Sequence, residues 1–102
     1  MRRDPYNVDA LLVLSETLLE LDRHRDAAIS IERVLRFDPR HLGALFLHGV
    51  LLADQHRYRE AIEEWSRVIA LEPDGEFAKR ARREVRTATD LLRIFRRQQE
   101  AS

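Results

Sequence analysis

The side chains of this 102-residue chain best suited to acid–base catalysis or metal binding are its four histidines, His24, His41, His48 and His56. Two of them follow an aspartate at the same interval, in the pairs Asp22/His24 and Asp54/His56. A metal site needs several ligands that converge on one point, whereas we predict that these pairs lie in separate turns. The chain has no cysteine, no glycine-rich phosphate loop, no Gly-x-Ser-x-Gly and no His-Glu-x-x-His. The sequence therefore predicts no catalytic residue, no metal site and no cofactor.

Positive charge is concentrated near the end of the chain, where clustered arginines could bind the phosphates of a nucleic acid. Residues 76–102 contain eight basic and four acidic residues (net +4), and residues 1–75 contain 10 basic and 14 acidic residues (net −4). Acidic residues are interspersed among these arginines, and no aromatic residue alternates with them on the basic face. We therefore interpret this face as solvated and keep nucleic-acid binding as the alternative. The opposite charges also allow ion pairing within the chain or head-to-tail association between copies.

A period of 34 residues organises the sequence. Three prolines and three alanines recur at this interval: Pro5, Pro39 and Pro73, and Ala10, Ala44 and Ala78. When residues 8–41 are aligned with residues 42–75, nine of the 34 pairs are identical. A period between about 20 and 50 residues is typical of proteins built from stacked structural repeats.

Within each repeat the apolar residues recur at helical intervals of three and four. We predict two pairs of helices, near residues 7–21, 25–37, 41–54 and 58–71, and no strands. Asp22 and His56 stand where the first helix of each pair should end with a left-handed residue. The small residues Ala27 and Ala61 begin the second helices, so the two antiparallel helices of a pair can approach closely.

A fifth helix is predicted from about Glu76 to Gln98, where the repeat pattern stops. Its apolar stripe consists of residues at steps of three and four, namely Phe77, Ala81, Val85, Ala88, Leu92 and Phe95. Such a helix can cover the last repeat with one face and meet solvent with the other. Leu91 and Ile94 widen the stripe, and they either extend the contact with the repeats or meet a second chain.

These features resemble the tetratricopeptide repeat family. Besides the period, the residues that carry the resemblance are Gly49, Leu52, Tyr58, Ala61, Trp65 and Pro73. The first repeat is a weaker copy, with Ser15, His24 and Ile31 at the positions of the glycine, the tyrosine and the aromatic residue. The resemblance implies an all-α fold, a short right-handed α-solenoid of two helix-turn-helix repeats plus a C-terminal capping helix. It divides the chain into a remnant of a preceding repeat, two repeats and the cap, at residues 1–7, 8–41, 42–75 and 76–102.

In folds of the tetratricopeptide type, the first helix of each pair lines a concave groove that binds a protein or peptide without catalysing a reaction. The side chains that the resemblance places in this groove are Asp9, Leu12, Val13, Glu16, Leu19, Phe46, Leu47, Val50, Ala53, Asp54 and Arg80. Acidic residues, with Glu20 among them, border the apolar ones. This pattern favours an apolar or amphipathic ligand segment with basic flanks.

Some family members bind a peptide's terminal carboxylate through Lys and Asn side chains. Leu12 and Glu16 occupy the matching positions here. Because Glu16 would repel a carboxylate, we predict that this chain does not bind such a terminus.

The first predicted helix is apolar around nearly its whole circumference, and a helix of this kind is normally buried on all sides. The sequence therefore favours a fragment of a longer repeat array, or self-association through this helix, over a free monomer. A structural segment of a longer scaffold is a further alternative. The apolar runs are too short for a signal peptide or a membrane span, which predicts a cytoplasmic protein if the chain is complete.

Overall fold

The computed structural model describes residues 7–101, and within that range the chain is helical without any strand. The five helices are α1 (Val8–Glu20), α2 (His24–Phe37), α3 (Leu42–Asp54), α4 (Tyr58–Leu71) and α5 (Glu76–Ala101). The α1–α2 and α3–α4 pairs stack through contacts of α3 with α1 and α2, and α5 packs along α4 and α3. This arrangement confirms the predicted α-solenoid of two helix-turn-helix repeats with a capping helix. The division at residues 41/42 and 75/76 stays a prediction, and the first proline and nearly all of the predicted N-terminal remnant lie outside the described residues.

The first helix of each pair begins with a side-chain cap. The Asn7 side chain accepts a hydrogen bond from the Ala10 backbone N–H at 3.1 Å, which satisfies a donor that the helix itself leaves unpaired. His41, 34 residues later, does the same for α3, since its Nδ1 accepts from the Ala44 N–H at 3.2 Å. His41 is therefore a helix-capping residue.

The turns between paired helices confirm the predicted left-handed residues, because φ is 58° at Asp22 and 62° at His56. The backbone N–H of Arg23 donates to the Leu18 carbonyl at 2.8 Å, and the N–H of Arg57 donates to the Leu52 carbonyl at 2.9 Å. These bonds satisfy carbonyls at the ends of α1 and α3. The two turns are therefore the same structure, repeated.

Substitutions at Asp22 test this backbone requirement. Among the wild type and two variants, we expect Asp22→Gly to be the most stable, followed by the wild type and then Asp22→Ala. Glycine avoids the steric penalty of a left-handed residue, whereas alanine bears it without the local hydrogen bonding open to aspartate. The free energies of unfolding in urea should differ by about 1 kcal/mol between glycine and alanine. An alanine variant as stable as the glycine variant would contradict the assignment.

Close packing inside each helix pair depends on small residues. Ala27 and Ala61 are fully buried. A Cβ added to Gly49 would lie 2.3 Å from Nε1 of Trp65, and this indole N–H donates to the Phe46 carbonyl at 3.1 Å. Trp65 therefore occupies the space that the glycine leaves open.

The first pair fills the equivalent position differently. Ser15 stands where Gly49 stands in the second repeat, and the smaller Ile31 replaces Trp65. Both Ser15 and Ile31 are buried, and the Ser15 hydroxyl donates to the Leu11 carbonyl at 2.7 Å. The two repeats thus share a backbone geometry but fill the same position with side chains of different size.

The capping helix α5 is longer than the helices it covers. Three of its alanines, Ala78, Ala81 and Ala88, are buried. At 1.5 Å per residue, its 26 residues span about 39 Å, whereas the 14 residues of α4 span about 21 Å. Phe95 stacks on Tyr58, the first residue of α4, with ring centroids 6.0 Å apart. The residues after Phe95 therefore extend beyond α4.

Candidate protein-binding groove

A concavity of about 220 Å³ opens between α1, α3 and α5. Its lining residues are Glu16, Leu19, Glu20, Phe46, Leu47, Val50, Asp54 and Arg80. The structure thus brings together seven of the eleven groove residues predicted from the sequence, together with Glu20 of the predicted acidic border. We call this concavity the groove.

The apolar side chains of the groove are less exposed than the sequence predicted. Phe46 was expected to face a ligand, yet only 3% of its surface is exposed. Its ring centroid lies 6.0 Å from that of Phe77, and the guanidinium carbon of Arg80 lies 4.5 Å above the ring. The first turns of α5 therefore cover Phe46. The half-buried Val50 is the more accessible apolar side chain of the groove.

Three carboxylates border the groove: Glu16 and Glu20 from α1 and Asp54 from the end of α3. All three residues are exposed. The opposing cation, Arg80, is half-buried over Phe46. The net charge around the opening is therefore negative, which attracts basic side chains and repels carboxylates.

Asp54 also connects the groove to the turn of the first pair. Its carboxylate Oδ2 lies 3.3 Å from His24 Nε2, and the Asp22 carboxylate lies 4.0 Å from the same nitrogen. The two aspartate–histidine pairs were predicted to lie in separate turns, but stacking of the two repeats brings His24 against Asp54. This histidine nitrogen is buried from solvent, and it has no well-aligned hydrogen bond within residues 7–101.

Four of the predicted residues lie outside the groove. Asp9 is exposed in the first turn of α1, and Val13 is 65% exposed on the same helix. Leu12 is half-buried beside Gly43, where an added Cβ would lie 3.2 Å from Leu12 Cδ1. Ala53 lines a neighbouring concavity of about 200 Å³ with Tyr58 and other residues. Asp9 and Leu12 precede Glu16 by seven and four residues, so they lie on the same face of α1 as Glu16 but one to two turns nearer the start of the helix, beyond the groove.

His48 lies between the helices of the second pair. Its Nδ1 is 3.1 Å from Glu64 Oε2, and Arg67 Nη1 is 3.4 Å from the other oxygen of that carboxylate. His48 therefore contributes to the contact between α3 and α4. Within residues 7–101, no three His, Cys, Asp or Glu side chains form a group that could hold a metal ion.

Two stacked helix-turn-helix pairs at an offset of 34 residues, covered by a fifth helix, define a tetratricopeptide-like helical repeat fold. The solved structure "MamA MSR-1 C2", a tetratricopeptide helical repeat protein, matches the chain with a TM-score of 0.68 and 22% sequence identity. The match covers 86% of this chain and 49% of that one, so the chain spans about half the length of that structure. At this identity the likeness shows the fold alone.

No protein-family model matches the sequence, and no curated protein matches it. Among the helices of residues 7–101, none combines the length and the apolar character that crossing a membrane requires.

Proposed function

We propose that the chain is a non-catalytic protein-interaction module whose groove binds an apolar or amphipathic peptide segment with basic flanks. Folds of the tetratricopeptide type are typically interaction modules. The observation that carries the proposal is the convergence of Glu16, Glu20 and Asp54 around an opening that contains Val50. The groove thus combines an apolar contact surface with negative charge.

The size of the groove determines how such a segment binds. A concavity of about 220 Å³ admits an apolar side chain rather than a whole helix face. The ligand therefore inserts one anchoring side chain against Val50, and its flanking Lys or Arg side chains meet the carboxylates. Exposed charges at the edge of an interface contribute mainly to association rate and specificity, so the expected affinity is modest.

Two synthetic amphipathic helices of leucine with either lysine or glutamate test the charge preference. We expect the lysine peptide to bind the full chain at least about tenfold more tightly than the glutamate peptide, because the three carboxylates attract one and repel the other. Fluorescence anisotropy of labelled peptides measures both affinities. Equal affinity for the two peptides would contradict the proposed groove chemistry.

Variants of the groove then locate the binding site. Reversing two charges with Glu16→Lys and Asp54→Lys should weaken binding of the lysine peptide by about tenfold, and Val50→Lys should block the opening. Glu63→Lys is the matched control, since Glu63 is exposed on α4 and does not line the groove. If the control weakened binding as much as the groove variants, the effect would come from overall charge.

A further inference from the structure

An exposed stripe of apolar and small residues runs along α1 and onto Leu21, the residue that follows this helix, on the side opposite the groove-lining Leu19. It consists of Ala10, Val13, Leu14, Thr17 and Leu21, which we call the α1 stripe; all five are exposed. Val13 alone exposes 65% of its surface. Contiguous exposed apolar surface usually marks an interaction site.

The second repeat shows what a stripe of this kind does when a neighbour is present. Leu47 of α3 is the counterpart of Val13, 34 residues later, and it is only 8% exposed. Ala44 and Leu51, the counterparts of Ala10 and Thr17, are buried as well. Three of the five corresponding positions of α3 are therefore buried within this chain, whereas all five positions of the α1 stripe are exposed.

Repeat 1 carries additional apolar residues at positions where repeat 2 is polar. Leu14 corresponds to His48, Leu21 to Gln55 and Ile29 to Glu63. Leu14, Leu21 and Ile29 are all exposed. Since a solvated surface does not require three extra apolar side chains, this difference indicates a surface that is covered in use.

Charge indicates what covers it. Helix α1 contains three carboxylates, Asp9, Glu16 and Glu20, and no basic residue. Two α1 stripes packed antiparallel would bring like charges together, which opposes association. A partner that combines apolar and basic side chains is favoured instead.

The far end of α5 has this combination. Ile94 is 50% and Phe95 42% exposed, and they stand among Arg93, Arg96 and Arg97. Within residues 7–101 these arginines form no ion pair. We call residues 93–97 the α5 end.

We propose that copies of this chain associate head to tail, with the α5 end of one copy docked on the α1 stripe of the next. The stripe and the α5 end belong to opposite ends of the helix stack, since α1 and α5 flank α3 and α4. A complex of two copies therefore keeps one unused stripe and one unused α5 end. Such a heterologous contact adds further copies unless the arrangement closes into a ring. The apolar part of the contact lies outside the groove, although the α1 carboxylates Glu16 and Glu20 border both surfaces. Val50→Lys, which blocks only the groove, should leave the association unchanged and so separates this proposal from the proposed function.

Sedimentation velocity of the full chain tests this association. We expect the average sedimentation coefficient to rise with concentration past the value of a dimer. Val13→Lys, which disables the stripe, and the double variant Arg93→Glu/Ile94→Glu, which disables the α5 end, should each associate at least about tenfold more weakly. Thr87→Lys is the control, because Thr87 is exposed on α5 and belongs to neither surface.

A mixture of the two disabled variants tests directly whether the stripe of one copy binds the α5 end of another. The intact α5 end of the Val13→Lys chain can dock on the intact stripe of the other variant, so the mixture should form a 1:1 complex that does not grow. The affected residues are exposed, and circular dichroism checks that each variant keeps its helices.

Three results would overturn the proposal. These are a wild-type chain that stays monomeric at every concentration, a mixture that forms no complex, and a closed dimer that Val13→Lys disrupts while the α5 variant does not. The last result would instead mean that two α1 stripes pair with each other. Binding of the lysine peptide to the groove should be the same for Val13→Lys as for wild type, which separates this test from that of the groove.

Discussion

Gly49→Ser is expected to destabilise the chain by about 3 kcal/mol. Its Cβ would stand 2.3 Å from Trp65 Nε1 and 2.7 Å from two carbons of the same ring. Trp65 is buried and cannot yield this space without losing its hydrogen bond to the Phe46 carbonyl. Overpacking of a core costs about 1–3 kcal/mol, and a lost hydrogen bond adds about 1 kcal/mol.

The first repeat supplies the compensating substitution. Trp65→Ile alone should also cost about 3 kcal/mol, because it leaves a void in the core. Together, Gly49→Ser and Trp65→Ile recreate the buried combination of Ser15 and Ile31. The double variant should therefore be more stable than the sum of the single losses predicts, by about 2 kcal/mol.

Urea unfolding followed by circular dichroism measures the four stabilities of this cycle. Gly75→Ala is the control for adding a Cβ to a glycine, since the nearest atoms there belong to the side chain of Glu72, an exposed residue that can move. It should change stability by less than about 0.5 kcal/mol. Strictly additive losses at Gly49 and Trp65 would show that these two residues do not compete for the same space.

Ala81→Asp should release α5 from the helix pairs. Ala81 is fully buried, and a carboxylate placed there would have no solvent. A buried unpaired charge costs several kcal/mol, so the free energy of unfolding should fall by at least about 3 kcal/mol. Departure of α5 would also uncover Phe46, which Phe77 and Arg80 now cover.

Thr87→Asp is the matched control for this second prediction. It introduces the same carboxylate on the same helix, but Thr87 is exposed, so its stability should stay within about 0.5 kcal/mol of wild type. Limited proteolysis should cut α5 of the Ala81→Asp variant before the other helices. Equal resistance of both variants would mean that α5 does not depend on Ala81 for its packing.

Local features of the fold could be predicted well from the sequence because they depend on residues close together in the chain. Apolar intervals of three and four determined the helices. The left-handed positions of Asp22 and His56 follow from where α1 and α3 must end, and both have positive φ. The capping role of His41 was missed, although Asn7 stands 34 residues before it as a typical capping residue.

Contacts between elements were harder to predict, because a period gives no register between packed helices. The apolar stripe of α5 indicated that this helix covers the last repeat, but not that Phe77 and Arg80 would lie against Phe46. In the same way, the identical spacing of the two aspartate–histidine pairs suggested isolated turns. The offset between stacked repeats instead places His24 3.3 Å from Asp54.

The different interiors of the two helix pairs limit how such a gene can recombine. A crossover within a pair that joined α1 to α4 would set Ser15 against Trp65, at the position where even a bare Cβ would collide with the indole. The reciprocal product would set Gly49 against Ile31 and leave a void. A crossover between pairs keeps each small residue with the side chain that fits it. At this position, whole helix pairs are therefore the units whose exchange preserves the internal packing.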